Sequence, residues 1–428
     1  MKVRTINLIL IFLFAIQYQL SYATEKDTLY LSLDEAIRLA QKHSLEAIEA
    51  RLNRKGGLIS LLNNSSQILP SISLSASHEK QKTQFSTTSS YSKTLNITQP
   101  VFNAEIFGNL YKGKLYYYYY QAQADDKKTL LAYNVKLTYY NLCKTYNLYE
   151  NAQAALKRAQ ENYRFIKEKY NLGLVTDFEV LQSESFLSQA ELEMWNTQKN
   201  LEIQETELKQ LIGISDKIFI RPQTIPDPPS EELDFNKIWD LIINYNCSLT
   251  ASKIHQKTAL LTYIQAICNI FPNISYYRTR SYYDTSLTPI ISDWQNYDVV
   301  NWGLKIHFPI SDFKTYLLAL INARHEYQRA KLQRKNVEQS LYKTFITVFQ
   351  NYQESRIRLS YILKNLALNQ KLLKLAEEQY RLGLISQLDL LNAEINFNRA
   401  QADYYNTLYD VYLNYAQIEY LVGKISKP

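Results

Sequence analysis

The sequence predicts a mainly helical chain with membrane β-strands, folded as two copies of one plan. Three observations carry that expectation. First, Tyr170-Asn171-Leu172-Gly173-Leu174 returns 210 positions later as Tyr380-Arg381-Leu382-Gly383-Leu384. Second, apolar residues fall at every seventh position around both copies. Upstream of the first turn they are Val135, Leu142, Tyr149, Leu156 and Tyr163, matched by Phe345, Tyr352, Leu359, Leu366 and Leu373. Downstream, Val180, Leu187, Met194, Leu201 and Leu208 match Leu390, Phe397, Tyr404, Val411 and Ile418. Third, each copy opens with two segments in which apolar and small polar residues alternate. A two-fold repeat of this size points to long helical hairpins in an elongated assembly rather than to one compact core.

At the N-terminus, Lys2 and Arg4 precede a short apolar run from Ile6 to Ile16 and a small-residue site at Ser21-Tyr22-Ala23. That order is expected of a secretory signal over residues 1–23. The apolar run is short for a spanning helix, and no other segment reaches about 18 consecutive apolar residues.

The first repeat is expected over residues 24–220. Leu33, Ala36, Ile37 and Ala40 form an amphipathic helix that starts near Ser32 and Asp34, and helix continues around Ala47 to Leu62. After Pro70, Ile72, Leu74 and Ala76 alternate with Ser71, Ser73, Ser75 and Ser77, a period-two strand with one apolar face. A polar loop from Thr83 to Ser90 leads to a second strand around Tyr91, Leu95 and Ile97, closed by Pro100. This first hairpin covers about residues 70–99. No proline then occurs until Pro222, and the helix from near Ala104 to Asn171 would be about 100 Å long at about 1.5 Å per residue. It turns at Leu-Gly-Leu and returns to Leu211-Ile212-Gly213, where glycine suits the left-handed end of a helix.

A proline-rich linker is expected over residues 221–234, and the second repeat over residues 235–428. Its hairpin, about residues 272–308, runs from Pro272 through Ile274 and Tyr276, past a loop with Pro289, to Trp302, Leu304, Ile306 and Phe308 before Pro309. The helix from near Phe313 to Arg381 and its return to Leu421-Val422-Gly423 complete the copy.

Composition agrees. Nine glycines and ten prolines are few for 428 residues, as long helices require. Thirty-six tyrosines suit surfaces that are half apolar and half wet, such as membrane interfaces and tunnel walls, although a general bias toward tyrosine would give the same count. The net charge of +7 is spread as interleaved acids and bases, which describes solvated helix faces and not a nucleic-acid stripe. Cys143, Cys247 and Cys268 lack CxxC spacing and read as unpaired. The five histidines share no ligand spacing, and no phosphate loop, GxSxG or HExxH occurs. Neither an enzyme, a metal site nor a cofactor is expected.

Strand count constrains the oligomer. Four membrane strands cannot close a barrel, because open edges are not tolerated in lipid and the smallest barrels have about eight strands. Three chains would give a shared 12-stranded trimeric barrel; counting alone also permits two chains.

At this point the chain resembles the TolC-type outer-membrane efflux protein family over nearly its whole mature length. The carriers are the signal, Leu33-Asp34-Glu35-Ala36-Ile37, Leu69-Pro70-Ser71-Ile72, Gln99-Pro100-Val101-Phe102 with its echo Phe308-Pro309-Ile310, and the two turns. The resemblance implies a homotrimer in outer-membrane lipid with a long periplasmic α-helical tunnel. It also implies an equatorial belt made from the linker and chain ends. Such ducts work passively with a periplasmic adaptor (membrane fusion) protein and an inner-membrane pump of RND or ABC type, exporting drugs, metals or proteins. A general uptake porin and a pore-less periplasmic coiled-coil tether are the competing classes.

The family narrows its tunnel mouth with acids just past the glycine turns. Counting six residues on gives Glu179 after Gly173 and Asp389 after Gly383, six carboxylates in a trimer. The plain alternative is that both acids complement the N-terminal dipole of the returning helix. Where some members place a base and a further acid to lock the mouth, this chain has Ile385 and Asn392. Adaptor docking is expected at the tips: Tyr170, Leu172, Gly173 and Leu174 on to Thr176, and Tyr380, Leu382, Gly383 and Leu384 on to Ser386. Tyr170 and Tyr380 serve equally well as the last residues of the heptad seam.

Overall fold

The computed structural model describes residues 28–214, 218–223, 233–284, 298–308 and 313–423. The signal, most of the proline-rich linker, the Pro289 loop and Pro309-Ile310 lie outside the described residues. Strand β1 (Thr28–Leu31) leads to helices α1 (Leu33–His43) and α2 (Leu45–Ser66), then strands β2 (Ser71–Lys82) and β3 (Thr87–Phe102). Helices α3 (Ala104–Asn171) and α4 (Asp177–Ile212) form the first long hairpin, followed by β4 (Phe219–Pro222). The second half repeats the order as α5 (Phe235–Tyr245), α6 (Cys247–Cys268), β5 (Asn273–Asp284), β6 (Asp298–His307), α7 (Phe313–Arg381) and α8 (Gln387–Val422). Corresponding helices agree closely in length: 11 residues for α1 and α5, 22 for α2 and α6, 68 and 69 for α3 and α7, and 36 for α4 and α8. No helix among the described residues is long and apolar enough to cross a membrane.

Contacts divide the chain into two compact units, one from Met1–Glu49, Lys127–Ile242 and Tyr342–Pro428, the other from Ala50–Asp126 and Ile243–Leu341. The second unit holds a four-stranded antiparallel sheet in the order β2-β3-β5-β6. Two strand boundaries differ from the expectation. The Thr83 to Ser90 loop shrinks to a turn in which Thr83 N and Oγ1 both donate to Ser86 O, at 2.8 and 3.1 Å. Thr87 to Ser90 instead pair with Lys82 to Glu79. Serine and threonine there are strand residues that alternate between the two faces, not loop residues, and β-branched Thr favours that state. Pro100 does not end β3 either. It pairs with Ser275, and a register shift before Phe102 absorbs its missing N–H as a bulge. Helix packing in this unit is close where α6 meets α3. Gln265 Nε2 donates to Glu105 O at 3.0 Å, and a Cβ on Gly108 would lie 1.9 Å from the same nitrogen.

The first unit has the main apolar core. Leu31, Ala36, Ile37, Ala40, Leu131, Val135, Leu142, Leu208, Ile212, Ile220, Tyr412 and Ala416 are buried together. A small parallel sheet, β1 against β4, lies in this core and contains Arg221 and Pro222, the first two residues of the expected linker. The Tyr139 hydroxyl donates to Leu31 O at 2.8 Å. Glu205 receives Ile220 N at 2.7 Å and pairs with Lys209 at 3.0 Å, so a buried charge pair fixes β4 through its backbone. Along the hairpins the heptad residues face inward. Val135, Leu142, Phe345, Tyr352, Leu373 and Leu390 are buried, and Tyr149, Leu156, Leu359 and Leu366 are half-buried.

Candidate channel entrance

Both long hairpins turn through the same backbone device. At the first, Leu174 N donates to Lys169 O at 3.0 Å and Gly173 N to Tyr170 O at 2.9 Å. At the second, Leu384 N donates to Gln379 O at 2.9 Å and Gly383 N to Tyr380 O at 3.0 Å. These are Schellman closures, and they require a left-handed residue; Gly173 has φ 73° and Gly383 φ 75°. Each returning helix then starts with a capping box. The Glu179 carboxylate accepts from Thr176 N at 2.8 Å and Oγ1 at 3.2 Å. Asp389 accepts from Ser386 N at 3.1 Å and Oγ at 2.7 Å, while its own N–H donates to Ser386 Oγ at 3.2 Å. The Ser386 hydroxyl and backbone bonds hold the Asp389 carboxyl below the usual carboxylate range. Both acids therefore complete helix ends within the chain.

The two turns are not equivalent. Tyr170 is exposed, and its hydroxyl bonds Asp177 at the start of α4, which raises the phenol's pKa. Tyr380 is half-buried; burial and the charge of Glu179 both raise its phenol. Lys169 stands over Phe165 at 4.5 Å and over the Tyr380 ring at 5.2 Å, joining the first turn to the second. Lys169 and the charge of Glu179 thus both act on Tyr380, while Glu179 and Asp389 each also bond within their own turn. Ile385 packs inward on Leu373, Ala376 and Leu390, and Asn392 is exposed. The leucines are open: Leu172 is 74% exposed, Leu174 68%, Leu382 71% and Leu384 70%.

A buried polar seam above the turns escaped the sequence reading. Asn151 Nδ2 donates to Asn398 O at 3.3 Å and Arg158 to Asn398 Oδ1 at 2.6 Å, tying α3 to α8. Glu394 lies in this seam, and burial pushes its carboxyl up to about 7 against the opposing charge of Arg158. The signal was present: Glu394 falls four residues after Leu390 and three before Phe397, on the apolar stripe. Among the described residues no group of His, Cys, Asp and Glu is placed to hold a metal ion.

A sheet with two open edges and paired helical hairpins closed at matched tips define a subunit of an outer-membrane channel. Comparison identifies which. The family described as outer membrane efflux protein matches residues 37–214 and 240–424, and the chain belongs to it. It is an outer-membrane efflux channel with the mainly helical, two-fold repeated fold of that family. Solved structures agree. The outer membrane protein VceC from Vibrio cholerae superposes with a TM-score of 0.78 at 18% identity, over 91% of this chain and 96% of that one. CusC gives 0.80 at 18% over 92% and 93%. The CmeC outer membrane channel of Campylobacter jejuni gives 0.77 at 18% over 92% and 87%. No curated protein sequence matches the chain.

Proposed function

We propose that three copies of this chain form one passive exit duct. It would receive cargo from a periplasmic adaptor and an inner-membrane pump and release it outside the cell. The observation that carries this reading is the sheet order β2-β3-β5-β6, which leaves β2 and β6 as edges within one chain. Backbone edges in lipid must be paired, so neighbouring copies have to supply the partners. In this reading Glu179 and Asp389 ring the entrance with six carboxylates. Capping engages one oxygen of each, and the charge remains to attract cations and repel anions. The exposed leucines of both turns are the surface an adaptor tip would cover.

The test is reconstitution of the protein, extracted from the outer membrane, into planar bilayers. A single recurring unit conductance with cation preference is expected. Protein that leaves the bilayer electrically silent at every voltage would overturn the duct and favour the tether.

A further inference from the structure

The packing of α3 on α8 changes character along its length. Far from the turns it is held by stacked rings and paired polar groups. Tyr133 stacks on Tyr420 at 5.2 Å and Tyr140 on Tyr412 at 5.1 Å. Lys136 pairs with Glu419 at 2.6 Å, and Asn147 Nδ2 donates to the Tyr409 hydroxyl at 2.9 Å. From Asn151 down to the turns the helices carry polar groups whose bonding is incomplete. Asn151 Oδ1, Arg158 Nε and the side-chain amides of Asn162 and Gln387 are buried without a hydrogen-bond partner. Native interiors rarely leave buried donors and acceptors unmade, so this stretch holds bonding capacity that the present register does not use.

Arg158 has a choice of two acceptors here. Its Nη2 donates to Asn398 Oδ1 at 2.6 Å. Glu394 lies one turn nearer Gly383 on the same face of α8 and is 5% exposed. The charges that face it are Arg158 from α3 and Glu377 from α7. The guanidinium is nevertheless bonded to the amide and not to the acid. Burial explains this, because it pushes the Glu394 carboxyl up to about 7 and so keeps the proton on in mild acid. A neutral carboxyl competes poorly for a guanidinium. An ionised one binds it through paired, charge-assisted bonds about twice as strong as neutral ones. Packed helices hold discrete registers, and a one-turn slip of one element past another is a known form of switching.

We infer that Arg158, Asn398 and Glu394 form a proton-controlled ratchet between the two helical hairpins. With Glu394 protonated, Arg158 rests on Asn398 in the register seen here. With Glu394 ionised, Arg158 passes to Glu394 and α3 steps one turn along α8 toward Gly383. Asn151, Asn162 and Gln387 supply the bonding capacity that the second register takes up. The step also reaches the tips. Lys169 lies about three turns beyond Arg158 on α3, so the slip carries its ammonium off the Tyr380 ring and parts the contact that joins the turns. The effect on the mouth rests on the duct reading; the movement of α3 on α8 does not.

The test reads a distance and a conductance in the full-length protein. Spin labels go on cysteines placed at Lys167 and Asn406, both exposed, with the native cysteines replaced by alanine. Co-assembly with excess unlabelled chain restricts the reading to distances within one chain. From pH 6 to pH 8 the distance should lengthen by up to one helical turn, about 5 Å. An equilibrium linked to one proton with a midpoint near 7 shifts about tenfold over that interval. Leak conductance of the unlabelled wild-type channel should rise by a similar factor. Glu394→Gln should keep the short distance and the low leak at both pH values. Asn398→Leu removes the competing acceptor and should move the midpoint below that of the wild type, which a merely structural Glu394 would not do. An unchanged distance overturns the ratchet, and so does a wild-type leak that ignores pH, which needs no variant to fold. A bilayer that stays silent while the distance still changes would count against the duct reading and support the ratchet.

Discussion

The ammonium of Lys169 stands 5.2 Å from the centre of the Tyr380 ring and so links the tips of the two helical hairpins. A cation over an aromatic face at an exposed site contributes about 0.5–1 kcal/mol, enough to shift an open–closed balance a few-fold. Lys169→Met should therefore raise leak conductance through the resting channel. Tyr380→Phe keeps the ring but loses the hydroxyl facing Glu179, and should leak less than the Lys169 variant. Equal, wild-type leak in both would show that this contact does not help close the mouth.

The glycines at the turns make a second, separable prediction. A Cβ at Gly173 or Gly383 would meet no atom within 4 Å, so substitution costs backbone strain and not a clash. For an L-residue in the left-handed region that is about 1–2 kcal/mol. Gly383→Ala should lower the denaturation midpoint accordingly. Gly56→Ala, in a helix and equally uncrowded, should raise stability by about 0.5–1 kcal/mol. Thermal melting of the two variants side by side checks the opposite signs.

If the proposed ring exists, replacing both turn acids, Glu179→Ala with Asp389→Ala, should reduce cation over anion permeability, measured as a reversal-potential shift in a salt gradient. The Ser386 bonds hold the Asp389 carboxyl below its ordinary range, so in a Glu179→Ala background the remaining cation preference should persist in mild acid and fade only under strongly acidic conditions. An unchanged reversal potential in the double variant would leave helix capping as the whole role of these residues.

Much of this architecture was legible because it is written in long-range periodicity. A seven-residue stripe over a proline-free span identifies helices such as α3 and α7 well, since every turn adds to the signal. The β1–β4 sheet was not legible: its strands are four residues each, and Thr28 pairs with Phe219 far along the chain. Strand ends were blurred because Thr87 to Ser90 have loop composition and gain their structure from partners on β2. At the hairpin tips, the repeated Leu-Gly-Leu spacing picked out both turns. It did not show that Lys169 would reach across to Tyr380, because that contact joins separate hairpins.

Glu394 supplies a pH dependence with a defined sign. Burial pushes its carboxyl from 4.5 up to about 7, with Arg158 opposing and Glu377 adding. Between those values the folded chain holds a proton that the unfolded chain has released. Stability from this group is therefore greatest below about 4.5 and is lost as pH rises through about 7. Glu394→Gln should flatten this window and stabilise the protein at pH 8 by on the order of 2–3 kcal/mol. Melting curves at pH 5 and pH 8 decide it; a variant with the wild-type pH slope would assign the dependence elsewhere.

Shared closure of the barrel is the claim on which the duct depends, and subunit stoichiometry tests it most directly. Native mass spectrometry of the channel extracted from the outer membrane should give three chains per particle, hence twelve strands. A particle of one or two chains would contradict the account.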